Sequence, residues 1–103
     1  MDLPWEYDCR DPFVLDRGLG HELDRYLLLA SVRLAPDASQ MAIAYAVSPD
    51  LVRWRWLDYF PVTVGDQAES ANLVIHGDHH YLFWTARGDA DAVKVACSTA
   101  GVF

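Results

Sequence analysis

Hydrophobic and polar positions alternate in short runs punctuated by turn-forming residues, which is the pattern of strands rather than helices. Pro12 to Leu15 is a brief apolar run, and a polar loop follows from Asp16 to Arg25. The next run is Tyr26-Leu27-Leu28-Leu29-Ala30-Ser31-Val32, after which Ala35 to Gln40 reads as a turn by composition. Met41 to Val47 is apolar again, and Ser48-Pro49-Asp50 turns the chain. Val52 to Leu57 then alternates, with Arg53 and Arg55 predicted on one face and Trp54 and Trp56 on the other. No stretch sustains a helical period with caps, so helix content is expected to be low.

The second half repeats the order of the first. Asn72 to Ile75 is an apolar strand, and His76-Gly77-Asp78-His79 is a turn. His80 to Ala86 matches Tyr26 to Val32 in character, and Ala92 to Ser98 matches Met41 to Ser48. The spacing from Tyr26 to Tyr81 is 55 positions and from Ser48 to Ser98 is 50. A strand-built repeat of this length is the signature of β-propeller blades. The fold expected is all-β, with two consecutive four-stranded antiparallel blades at about 9–58 and 68–103, the second incomplete. An ordinary β-sandwich with look-alike hairpins is the competing architecture.

Composition narrows the partners. The chain has 103 residues, enough for a modest core. Its 8 Lys and Arg against 15 Asp and Glu give a net charge of -7. That balance offers no basic patch for nucleic-acid phosphates and no polybasic handle for an anionic membrane. No apolar run approaches the roughly 20 residues of a transmembrane helix. Met1 to Glu6 carries no secretory signal, so cytoplasmic residence is the expectation. Cys9 and Cys97 lack metal or disulfide spacing and are expected to be small buried residues kept reduced. No cofactor is implied.

Three landmarks carry candidate chemistry. Arg10-Asp11-Pro12 opens the first repeat, Ala68-Glu69-Ser70 opens the second, and Ser48-Pro49-Asp50-Leu51-Val52-Arg53-Trp54 lies between. Together, from about Trp5 onward, they resemble the five-bladed β-propeller glycoside hydrolases of families 32, 43 and 68. The resemblance implies Asp11 as the carboxylate that stabilises the transition state and Glu69 as the general acid. Its implied substrate is an oligo- or polysaccharide of furanoside type, containing fructose, arabinose or xylose. Glycoside cleavage needs a proton donor at the leaving oxygen and negative charge near an oxocarbenium-like centre. Glu69 would be the donor, with its proton held by partial burial and neighbouring negative charge, while Arg10 would steer Asp11. The families also place a third carboxylate near the start of a first blade. Upstream of Trp5 the acidic residue is Asp2, with Asp8 just after it, and neither has a strand-like context. The isolated chain is therefore expected to be inactive alone.

Asn72, Trp5 and Trp84 complete the candidate substrate-binding set. Core packing competes as the role of Trp84, and backbone capping competes for Asn72. His76, Asp78, His79 and His80 read as a polar hairpin tip rather than a metal site, because adjacent strand residues face opposite ways. A non-catalytic carbohydrate-binding or protein-interaction propeller fragment is the alternative function. Two blades alone leave apolar faces uncovered, so self-association is expected as well.

Overall fold

Among the described residues, seven strands account for nearly every apolar run. The computed structural model describes residues 9–34, 40–88, 90–99 and 103, so Trp5, Asp2, Asp8 and most of the expected turn at 35–39 lie outside the described residues. The strands are β1 (Cys9–Asp16), β2 (Tyr26–Arg33), β3 (Met41–Ser48), β4 (Arg55–Tyr59), β5 (Glu69–His76), β6 (His79–Ala86) and β7 (Ala92–Ser98). They form two antiparallel sheets, one ordered β1-β2-β3-β4 and the other β5-β6-β7. Among the described residues the helical content is a single 3-10 turn at Pro61–Thr63, and no helix is long and apolar enough to cross a membrane.

Local chemistry explains where strands stop. Gly77 takes a φ of +61° in the tight turn that joins β5 to β6, where His76 pairs with His79. The longer β1–β2 loop is stitched by the Asp16 carboxylate, which accepts from Arg25 at 2.8 and 2.9 Å and from the Gly18 N–H at 2.8 Å. One expected element is shorter than its alternation suggested: β4 begins at Arg55, not Val52. Ser48 Oγ accepts from the N–H groups of Asp50 and Leu51, and Asp50 Oδ1 accepts from those of Val52 and Arg53. These bonds hold 48–53 as a self-capped turn, with Leu51 at a φ of +70°. Trp54 therefore donates its indole N–H back to the Leu51 carbonyl at 3.1 Å instead of sharing a strand face with Trp56.

The segment from Phe60 to Ala68 fastens the two sheets together. On the first sheet, Phe60 N–H donates to Ile43 O, Ala68 N–H to Met41 O, and Gln67 Oε1 accepts from Met41 N–H. Thr63 is fully buried; its hydroxyl accepts from Ile43 N–H at 3.0 Å and donates to Phe60 O at 2.7 Å. On the second sheet, the Asp66 carboxylate accepts from Trp84 Nε1 at 3.0 Å and Lys94 Nζ at 2.9 Å. Asp66 O also accepts from Arg87 N–H. So anchored, β5 packs against β1, β2 and β3.

Both sheets carry the same irregularity. The β1–β2 ladder shifts between Arg10 and Phe13, and the β5–β6 ladder shifts between Glu69 and Asn72. Arg10 pairs with Ser31 and Phe13 with Leu29, just as Glu69 pairs with Thr85 and Asn72 with Phe83. Aligning these bulges equates Leu29 with Phe83, Ile43 with Val93, Tyr45 with Val95 and Val47 with Cys97. Tyr26 then corresponds to His80, one residue from the Tyr81 that sequence character suggests. The intersheet core unites Leu27, Leu29, Ile43 and Val47 of the first sheet with Ala71, Leu73, Leu82 and Trp84 of the second. By register these belong to opposite faces of the repeat. The front of the first sheet thus packs on the back of the second.

Candidate functional site

At the bulges, side chains from the two sheets meet. Asp11 and Ser70 occupy the same bulge position and both take left-handed backbone, with φ of +55° and +54°. A non-glycine residue there costs about 1–2 kcal/mol, and such residues gather at functional sites. The two touch: Ser70 Oγ donates to Asp11 Oδ2 at 3.0 Å. Asp11 is exposed, and Pro12 behind it removes a backbone donor from the strand. Glu69 precedes Ser70 on β5, so the two carboxylates expected to work together begin neighbouring strands at one end of the sheet pair.

Glu69 has a partner that sequence pattern alone did not single out. Arg87 Nη1 lies 3.1 Å from Glu69 Oε2, and Arg87 Nε lies 3.2 Å from Asp91 Oδ2. The charge beside Glu69 is therefore a guanidinium, where neighbouring negative charge was expected. The Glu69 side chain is 24% exposed against 51% for Arg87, so the carboxylate is the better sheltered member. Arg87 is itself oriented through its backbone by Asp66. The signal that would have found it is the repeat register, since Arg87 stands where Arg33 stands in the first sheet.

The remaining candidates divide. Arg10 is exposed beside Asp11, on the strand position that pairs with Ser31. Asn72 is exposed on the front of the second sheet, and its side-chain amide donates to Ser70 O at 3.4 Å. Trp84 is 3% exposed, inside the intersheet core, with its indole N–H committed to Asp66. It presents no face to a sugar, and core packing is the role its position gives it. Trp5 lies outside the described residues.

Two adjoining cavities sit at the other end of these strands, away from the bulges. One of about 210 Å³ is lined by Tyr45, Phe60, Leu73, His80 and Phe103, with the Arg17–Asp24 ion pair at its edge. A wider cleft of about 630 Å³ adjoins it through Arg17, Leu73, Ile75 and His80. Neither is lined by Asp11 or Glu69. Among the described residues no group of three His, Cys, Asp or Glu side chains converges to hold a metal ion. Compared with protein-family models, curated proteins and solved structures, the chain has no match in any of the three.

Proposed function

We propose that the chain forms two consecutive blades of a five-bladed β-propeller related to the glycoside hydrolases, with Asp11 and Glu69 directed at one furanoside substrate. The observation that carries this reading is the Asp11–Ser70 hydrogen bond between equivalent bulges of adjacent sheets, one residue from Glu69. The stacking supports it too. Successive propeller blades repeat around an axis, so each offers its front to the back of the next. A two-sheet sandwich instead buries both inner faces against each other and leaves no repeat of front on back.

In this reading β1 and β5 are the innermost strands, and their bulges turn the acidic side chains toward the central channel. Asp11 supplies negative charge to the oxocarbenium-like centre and accepts from sugar hydroxyls, while Ser70 fixes one of its oxygens. Once substrate displaces Arg87 from its Oε2, Glu69 takes up a proton from solvent and delivers it to the leaving oxygen. The candidates for the third carboxylate implied by the resemblance, Asp2 and Asp8, lie outside the described residues. A non-catalytic carbohydrate-binding role is the second reading, favoured by Arg87 on the oxygen that an acid must present.

Titration calorimetry with arabino-, xylo- and fructo-oligosaccharides tests the proposal. Saturable binding to one of them is expected, weakened at least ~10-fold in Asp11→Asn and in Glu69→Gln, as loss of a charge-assisted hydrogen bond requires. Binding untouched by both substitutions contradicts it. Hydrolysis that disappears in Glu69→Gln decides for the catalytic reading over the second one.

A further inference from the structure

The strand ends remote from the bulges enclose a cavity that the reading above does not use. Buried Leu27 and Val47 of the first sheet and buried Leu73 of the second line this space of about 210 Å³. Its aromatic lining is a stacked pair, Tyr45 and Phe60, with ring centroids 4.5 Å apart, and Phe103 meets Phe60 edge-on at 5.6 Å. Its polar lining includes His80, which also borders the wider cleft. His80 Nδ1 is buried without a hydrogen-bond partner among the described residues, so no bond from that atom fixes the orientation of the ring.

Size and walls select the guest. A protein cavity of about 150 Å³ lined by aliphatic and aromatic side chains is large enough for benzene. A space of about 210 Å³ therefore takes a single six-membered ring with a small substituent. Such walls gain more dispersion energy from an apolar guest than from water, and offset or edge-on contacts with Tyr45, Phe60 and Phe103 favour an aromatic ring. The wider cleft gives that ring a way in, because the two spaces share Arg17, Leu73, Ile75 and His80.

Charge narrows the choice. The carboxylates around the two spaces are already matched, Asp24 by Arg17 at 3.1 Å and Asp16 by Arg25 at 2.8 Å. A charged guest would leave water without gaining an unpaired counter-ion. A hydroxyl both donates and accepts, so it suits either tautomer of the His80 imidazole. We infer that this cavity is a binding site for a neutral, single-ring aromatic compound carrying a hydroxyl group, with the ring against Tyr45, Phe60 and Phe103 and the hydroxyl on His80. The inference rests on the cavity and not on carbohydrate recognition, so an absence of sugar binding at the bulges leaves it standing.

Amide chemical-shift titration of the whole chain with phenol, toluene and benzoate tests it, with circular dichroism to check that each variant folds. Phenol is expected to saturate with a Kd of about 1 mM or tighter, moving the amides of Tyr45, Phe60, Leu73 and His80 and leaving those of Asp11 and Glu69 in place. Benzoate, the same ring with a full charge, is expected to bind at least ~10-fold more weakly. His80→Leu is expected to lower the ratio of phenol to toluene affinity about 5-fold, the worth of one hydrogen bond. Comparing two ligands in one variant cancels any change in the apolar walls, and His80→Phe repeats the comparison with an aromatic replacement. Phenol that fails to saturate below about 10 mM, shifts centred on the bulges, benzoate as tight as phenol, or a ratio unchanged in both His80 variants overturns the inference.

Discussion

Asp11 and Ser70 hold backbone angles that side chains resist, and they hold them at matching places in the two sheets. A hydroxyl bond on an exposed surface contributes about 0.5–1 kcal/mol, which does not by itself repay left-handed strain at both residues. The packing of the strands on either side has to enforce it. Replacing Ser70 by Ala or by Gly removes the same hydroxyl, but only glycine relaxes at a φ of +54°. Chemical denaturation is therefore expected to rank Ser70→Gly about 1 kcal/mol more stable than Ser70→Ala, with sugar affinity reduced alike in both. Equal stabilities would mean that the bulge is not strained. At this scale the sequence was partly legible. Asp11 and Glu69 stood out because acidic residues open apolar runs, while Arg87 did not, because a residue just past a strand end has no periodic signature.

Among the elements, the strands were legible and their connections less so. β2, β3, β6 and β7 fall where the apolar runs predict; β2 and β3 are central strands buried on both faces, whereas β7 is an exposed edge strand whose run is just as apolar. Val52 to Trp54 imitate a strand by alternation, yet the Ser48 and Asp50 side chains take up the backbone donors that a strand would use. The Phe60–Ala68 connection had no pattern to read, although it sets how one sheet meets the other. Its centre is Thr63, whose hydroxyl satisfies the buried N–H of Ile43. Thr63→Val keeps the shape and removes the acceptor, so the Ile43 N–H is left unpaired. A loss of about 2 kcal/mol in unfolding free energy is expected, well above the usual cost of an isosteric change. A loss under about 0.5 kcal/mol would show that the connection is not the clasp.

The whole molecule is an acidic chain whose folded state depends on ionised carboxylates. Arg25, then the Gly18 N–H, holds Asp16 at about 2. The N–H groups of Arg53 and Val52 hold Asp50 well below the usual range. Lys94, then the Trp84 indole, lowers Asp66. A carboxylate that is more acidic folded than unfolded contributes its full stability above its unfolded value of 3.8, and that contribution is lost as pH falls through the folded value. Thermal unfolding temperature is thus expected to drop between about pH 4 and pH 2. Asp66→Asn should be less stable than the parent at pH 6, with the gap closing toward pH 2. A gap independent of pH would deny Asp66 its ionic role. The repeat itself was legible from strand order, but its register was not, since Tyr26 resembles Tyr81 while the ladder sets it against His80. Only the shared bulge reveals the front-on-back stacking that brings Asp11 beside Ser70 and Glu69. Amide chemical-shift mapping during titration with a furanoside oligosaccharide tests that arrangement most directly. Joint, saturable shifts are expected at 10–13 on β1 and at 69–72 on β5. Shifts confined to the cavity around Tyr45 and His80, or on only one of the two strands, would contradict it.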